Sequence, residues 1–443
     1  PAPVVNAGVD LSVCQNNPSA VLSASVSGGT TTGIWSGGNG TFNPSNSVLT
    51  ASYTPSASEL SAGSVTLTLT STNNGNCNQV TDNMVINFTQ APSVNAGANL
   101  SSCKNNPATV LSGTVSGATT TGIWSGGSGT FSPNNTNLNA TYNPSAAELA
   151  AGSVNLILSS TANGNCNQVT DNVLIVFTNA PTANAGIDLS ICKNNTAAAL
   201  SGVVSGTTTT GIWSGGTGNF TPNNTNLNAT YSPSAADLAA GSVTLTLTST
   251  NNANCNAVTD NMIINFTPAP VVNAGVDFTI CRNNPSSVLS GSVSGGTSTG
   301  IWSGGLGTFN PSNSVLSATY TPNSTELAAG STTLILSSTN NGNCLQVKDT
   351  VVVNFTPSPS VNAGPNLSVC KNNSATVLSG TVSGATTTGI WSGGSGTFSP
   401  SNTSLNATYN PSAADLAAGS VNLILSSTNN GNCNQVTDNV LIV

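Results

Sequence analysis

The sequence predicts an all-β protein made of five tandem antiparallel β-sandwiches, stacked head to tail in a stiff rod. Three observations carry that expectation. An 89-residue period runs unbroken through the chain, short segments of alternating apolarity are separated by turn-rich tips, and a proline sits at every junction between copies.

The period is read from fixed landmarks. Cys14, Cys103, Cys192, Cys281 and Cys370 are each 89 residues apart, as are Cys77, Cys166, Cys255, Cys344 and Cys433. Trp35, Trp124, Trp213, Trp302 and Trp391 keep the same step, and so do Tyr53, Tyr142, Tyr231, Tyr320 and Tyr409. The expected units are 1–90, 91–179, 180–268, 269–357 and 358–443, the last without the Phe-Thr that ends the other four. On this reading the segment is cut from a longer array, and any targeting signal lies outside it.

Within unit 1 the elements follow in order. Asn6-Ala7-Gly8 kinks the first strand, and Val21 to Val26 forms a strand ending at Ser27-Gly28-Gly29. Gly33-Ile34-Trp35-Ser36 enters a Gly37-Gly38-Asn39-Gly40 turn and leaves as Thr41-Phe42. Ser56-Ala57-Ser58-Glu59 matches a capping box, with Gly63 to close a short helix. Val65 to Thr70 alternates aliphatics with threonines, and Met84, Ile86 and Phe88 alternate with Asn83, Val85 and Asn87. Asn73 to Cys77 is the tip of the hairpin between them. About seven short strands with turns every 8–12 residues indicate an immunoglobulin-like sandwich.

The junctions are short. Phe88-Thr89-Gln90-Ala91-Pro92-Ser93-Val94 passes from one unit to the next with about three residues between strands, and Pro3, Pro92, Pro181, Pro270 and Pro359 recur there. A flexible linker would be longer and rich in Gly and Ser. Stiffness is therefore expected.

Composition narrows the function. Charged residues make up only 4% of the chain, with five basic against thirteen acidic, where an average soluble domain carries roughly 25%. Nucleic acid is not a partner, since phosphate neutralisation needs clustered Lys and Arg. No apolar run approaches the ~20 residues of a membrane span. There is no histidine, the serines have no activating partner and the carboxylates are far apart, so no enzyme and no cofactor are expected. Calcium wants six to eight oxygens, several from carboxylates. Asp10 becomes Asn99 and Asn366 in other copies, while Asp82, Asp171, Asp260, Asp349 and Asp438 each lie alone in a strand, so no metal site is assigned.

Trp35, Trp124, Trp213, Trp302 and Trp391 are read as core plugs of each sandwich, with Tyr53, Tyr142, Tyr231, Tyr320 and Tyr409 as further core aromatics. Sugar-stacking platforms are the alternative use of the tryptophans. Lys104, Lys193, Arg282 and Lys371, each just after the first cysteine, are read as solvated.

Two cysteines per unit suggest disulfides and an oxidising, extracellular location. Pairing Cys14 with Cys77 inside the unit is the simpler scheme, but topology disfavours it. In such a sandwich the first strand runs away from the end where the last hairpin turns. Cys14 closes that strand and Cys77 sits at the hairpin tip, about eight residues or ~25 Å apart. A disulfide needs Cα atoms within about 7 Å. Head-to-tail stacking instead brings Cys14 to Cys166, Cys103 to Cys255, Cys192 to Cys344 and Cys281 to Cys433. Cys77 and Cys370 are left for units outside this segment.

Val5-Asn6-Ala7-Gly8, Gly33-Ile34-Trp35-Ser36-Gly37-Gly38, Ala51-Ser52-Tyr53-Thr54-Pro55-Ser56 and Asn74-Gly75-Asn76-Cys77-Asn78 together resemble the tandem PKD-like or immunoglobulin-like repeats of very large Bacteroidetes surface adhesins, of the SprB gliding-motility type. The resemblance implies type IX secretion, a cell-surface location and a filament that carries adhesion elsewhere along the chain. The O-glycosylation pattern of that group matches only Asp349-Thr350-Val351.

A structural stalk is the resulting expectation, with neighbouring repeats of the same chain as its partners. Units two and five are near copies, and a spacer needs only length. Two alternatives remain: repeated weak binding of surface polysaccharide through avidity, and self-association of chains into a fibre.

Overall fold

A computed structural model describes the whole chain, Pro1–Val443. Unit 1 contains β1 (Val4–Asn6), β2 (Leu11–Cys14), β3 (Ala20–Val21), β4 (Ser25–Ser27), β5 (Thr32–Ser36), β6 (Thr41–Asn43), β7 (Ser52–Thr54), α1 (Ala57–Ala62), β8 (Ser64–Thr72) and β9 (Thr81–Thr89). One layer has the order β2-β9-β8-β5, with β2 parallel to β9 and the remaining pairs antiparallel. The other layer is built from β1-β4 and β3-β7-β6. These two pieces join because β3 and β4 are one interrupted strand: Leu22 N–H donates to Ala51 O at 2.9 Å and Ala24 N–H to Leu49 O at 3.4 Å. A first strand divided between two facing sheets, with the β8–β9 hairpin central in one of them, is the immunoglobulin-like arrangement.

The division of the first strand has a local cause. Gly8 sits at φ +92°, where a Cβ would lie 3.2 Å from Ser23 O. The freed Ala7 N–H donates to Asp82 Oδ2 at 2.8 Å, and Val85 N–H donates to Asp10 Oδ1 at 2.8 Å. The aspartates that lie alone in sequence thus pin the switch between sheets. Asn99 takes the place of Asp10 in unit 2 and still accepts from Leu174 N–H at 3.0 Å. A neutral amide oxygen serves as well as a carboxylate, which explains why charge at this position varies.

The turn after Trp35 is a crossing between layers. β5 pairs with β8, whereas β6 pairs with β7 in the opposite sheet. Gly38, at φ +75°, passes so close to the core that a Cβ would lie 2.2 Å from the Tyr53 hydroxyl. Only glycine fits that approach.

Between the layers lies one core per unit. Trp35 is 0% exposed and is packed with Leu22, Leu67, Leu69, Met84, Ile86 and Tyr53. Its Nε1–H donates to Leu49 O at 3.3 Å, and Phe42 packs on Tyr53 with ring centroids 4.8 Å apart. Burying a ring system of this size contributes roughly 4–6 kcal/mol at the upper limit. Equivalent clusters form around Trp124, Trp213, Trp302 and Trp391. In unit 5 the layer is three-stranded, Thr388–Ser392, Val421–Thr428 and Thr437–Ile442, and the segment equivalent to β2 makes a single parallel bridge, Leu367 to Ile442.

Candidate functional site at the inter-unit junctions

The residues left exposed by these cores are mostly Ser, Thr, Asn and Gly, with scattered aliphatics such as Val9, Ile187 and Val276, and the asparagines that act between units gather at the junctions. Only Gln90–Pro92 separate β9 from the next strand, Ser93–Asn95. The foot of unit 1, where β2 ends, therefore meets the hairpin tip of unit 2. Four bonds cross these contacts: Cys14–Cys166, Cys103–Cys255, Cys192–Cys344 and Cys281–Cys433, with Cα–Cα distances of 4.9, 5.0, 4.9 and 5.0 Å. The foot cysteines of all four pairs are fully buried, while Cys77 and Cys370 are free and exposed. Disulfides of this kind belong to proteins matured outside the reducing cytosol.

Asparagines flank each bridge. The Asn16 amide lies against the backbone of Asn167 as a strand would, with Nδ2 donating to Asn167 O at 3.0 Å and Oδ1 accepting from Asn167 N–H at 3.0 Å. Asn167 Nδ2 returns a bond to Asn16 O at 2.7 Å. Asn17 Nδ2 donates to Asn165 O at 3.1 Å, and Asn165 Nδ2 to Ser12 O at 2.8 Å. The same five bonds join units 2 and 3 through Asn105, Asn106, Asn254 and Asn256. They recur at the fourth junction through Asn283, Asn284, Asn432 and Asn434. At the third, Leu345 stands where the tip asparagine would be. Its backbone keeps both contacts with Asn194, and the bond from a side-chain amide is lost. Each such bond contributes about 0.5–1.5 kcal/mol, at the low end where water competes.

These asparagines escaped the sequence reading. Their signal was present: Asn-Asn follows the residue after each foot cysteine, and Asn precedes each tip cysteine at the same 89-residue step. Asparagine abounds throughout this chain, so only the spatial pairing separates the junction residues from turn formers.

One reading needs correction. Lys193 and Lys371 are exposed, but Lys104 and Arg282 are half-buried, and Arg282 Nε is shielded from solvent without a hydrogen-bond partner. The backbone N–H of exposed Lys193 bonds Thr267 O at 3.0 Å just as those of Lys104 and Arg282 bond Thr178 O and Thr356 O, so this bond does not account for the cover over the latter two.

The five tryptophans and five tyrosines are at most 1% exposed, so none presents a ring face to a ligand. Each tyrosine faces a buried or half-buried carboxylate. Glu59 Oε1 accepts from the Tyr53 hydroxyl at 2.7 Å and from Asn39 N–H at 2.6 Å, and its Oε2 accepts from Ser56 N–H at 2.7 Å. Burial and the bond to Glu59 push the Tyr53 hydroxyl up to about 12. Burial opposes the charge on Glu59, but hydrogen bonds from Ser56, Tyr53 and Asn39 outweigh it and hold the carboxyl below its usual range. In unit 3 the same balance brings Asp237 down to about 2. A carboxylate with its lone pairs taken by the helix cap and the crossing turn is a structural hub. No three His, Cys, Asp or Glu side chains gather as a metal cluster, and no helix is long and apolar enough to cross a membrane.

No protein-family model and no curated protein matches the chain. Among solved structures it is similar to the protocadherin GammaB4 extracellular domain at 13% identity, covering 100% of this chain and 84% of that one, with a TM-score of 0.31. Sidekick-1 immunoglobulin domains 1–5 match at 12% identity, covering 100% and 98%, with a TM-score of 0.28. Titin domains I67–I69 match at 11% identity, covering 60% and 98%, with a TM-score of 0.35. Scores this low leave the fold to be assigned from the strand order itself.

Proposed function

We propose that this chain is a stalk segment of a very large secreted cell-surface adhesin, acting as a rigid, disulfide-stapled spacer with no chemistry of its own. The observation that carries this reading is the junction: four times over, a disulfide and four or five asparagine bonds close the same contact. A linker of three residues with a bond across it leaves little room for a hinge. The units act as separate cores, with bounds at 1–90, 91–179, 180–268, 269–357 and 358–443. The phrases quoted above support a gliding-motility adhesin of Bacteroidetes, exported by the type IX route. Burial of the aromatics removes the feature that a polysaccharide-binding array would need.

Small-angle scattering tests the spacer directly. The oxidised chain should keep its maximum dimension when a calcium chelator is added and lose rigidity when reductant is added. A collapse on chelation, or a profile indifferent to reduction, would overturn the reading.

A further inference from the structure

The junction between units 3 and 4 departs from the other three at two residues, one on each side of the Cys192–Cys344 bridge. On the hairpin tip, Leu345 stands where Asn167, Asn256 and Asn434 stand elsewhere. On the foot, Thr196 stands where Pro18, Pro107 and Pro285 stand. Both departures loosen the contact. Leu345 keeps two backbone bonds with the Asn194 amide, both at 3.0 Å, but no amide returns to Asn194 O. The bond missing there is the shortest of the five at the first junction, Asn167 Nδ2 to Asn16 O at 2.7 Å. Packing does not compensate, since Leu345 is 56% exposed. Threonine also lacks the fixed φ of proline, so the foot turn has more freedom to lose on closing. The linker is not the source of looseness: Pro268-Ala269-Pro270 carries one proline more than Gln90-Ala91-Pro92.

We infer that Cys192–Cys344 is the redox-labile joint of the array, opened by a small monothiol such as glutathione while the other junctions stay stapled, so that the rod first bends between units 3 and 4. This rests on the stalk reading, in which each bridge removes a hinge. Contacts that hold a foot against a tip also hold the two sulfurs together. Losing one lowers the effective concentration of each thiol at the other and makes the bridge easier to reduce. Access sets the point of attack. Cys192 is fully buried and Cys344 half-buried, as Cys166 is, whereas Cys255 at the second junction is buried. A glutathione thiolate attacks Cys344 Sγ, the bond to Cys192 breaks, and Cys192 leaves as a thiolate that takes a proton from water. A second glutathione thiolate attacks the glutathione sulfur of the mixed disulfide and releases Cys344. One protein disulfide is reduced to two thiols, and two glutathione thiols are oxidised to one disulfide.

The full chain, with Cys77 and Cys370 first blocked by iodoacetamide, is equilibrated in graded glutathione redox buffers. Differential alkylation and peptide mass spectrometry then read each bridge. Cys192–Cys344 should reach half reduction at a ratio of squared thiol to disulfide at least about fivefold below that of Cys14–Cys166. At the ratio that opens it alone, small-angle scattering should already show a shorter maximum dimension. Leu345→Asn with Thr196→Pro should return its midpoint to that of Cys14–Cys166, and Asn167→Leu should make the first bridge easier to reduce. Coincident midpoints, midpoints indifferent to these variants, or a rod that bends only once the other bridges open would overturn the inference and leave the stalk intact. Scattering unchanged with every bridge open would overturn the stalk reading, whatever the order of opening.

Discussion

Units 2 and 5 are nearly the same sequence in different surroundings. Ala98 against Pro365, Ser102 against Val369 and Glu148 against Asp415 are among their few differences. Their cores match, with Trp124 and Trp391 both 0% exposed. Their feet differ in cover. In unit 2, Leu100–Cys103 is a strand in parallel register with Ile175 to Thr178, and Cys103 is sealed under the hairpin tip of unit 3. In unit 5 the same stretch keeps the parallel pairing as far as Val443, with Leu367 N–H bonded to Leu441 O and Val443 N–H to Leu367 O, both at 2.9 Å. The core of a unit is therefore its own. The foot of unit 2 pairs with the end of its own last strand, Ile175 to Thr178, and is covered by the hairpin tip of unit 3.

The disulfide should account for the largest part of that difference. Cys103→Ser with Cys255→Ser is expected to cost about 2–5 kcal/mol, with roughly 5 as the ceiling for so long a loop. Cys370→Ser should stay within about 0.5 kcal/mol. Hydrogen exchange reads this locally: amides of Leu100–Cys103 should be protected in the oxidised chain and should exchange faster once the bridge is removed. Unchanged protection would mean that the strand pairing alone builds the foot.

A smaller effect is expected from the asparagines. Asn256 N–H donates to Asn105 Oδ1 at 3.0 Å, so Asn105→Ala should speed its exchange by about tenfold. The counterpart Asn372→Ala should alter no hairpin within its own chain. Equal effects would erase the distinction between a closed and an open foot.

The smallest difference is expected at the tyrosines, where the two units are alike. Tyr142 faces Glu148 and Tyr409 faces Asp415, and both hydroxyls are pushed up to about 12 by burial and by the neighbouring carboxylate. A proton held more tightly in the folded state stabilises it fully below the ordinary value near 10, and that contribution is lost as pH rises through 12. Glu148 and Asp415 are held below their usual range, so their contribution is present above about pH 4 and is lost as pH falls. Absorbance at 295 nm should show tyrosinate forming near pH 12 in the folded chain and near 10 in denaturant. A folded fraction that ionises near 10 would place one of these rings in water.

Much of a single unit was legible in residue order, because its causes are local. Ser56 with Glu59 marks a helix start, Gly63 its end, and the alternation of Val65, Leu67 and Leu69 a strand half-buried against one core. The 89-residue step and the three-residue joints likewise specify five sandwiches in line. What tertiary structure alone decided is which groups meet across distance. Gly37 to Gly40 reads only as a turn, yet it carries the chain to the opposite sheet, with Gly38 passing close against the Tyr53 hydroxyl. Asp82 reads as a lone acid in a strand and Asp10 as a variable position, yet both hold backbone N–H groups 75 residues away. The junction asparagines look like any others in a chain full of them, since a side-chain amide has no preferred partner until packing brings a particular backbone within 3 Å of it.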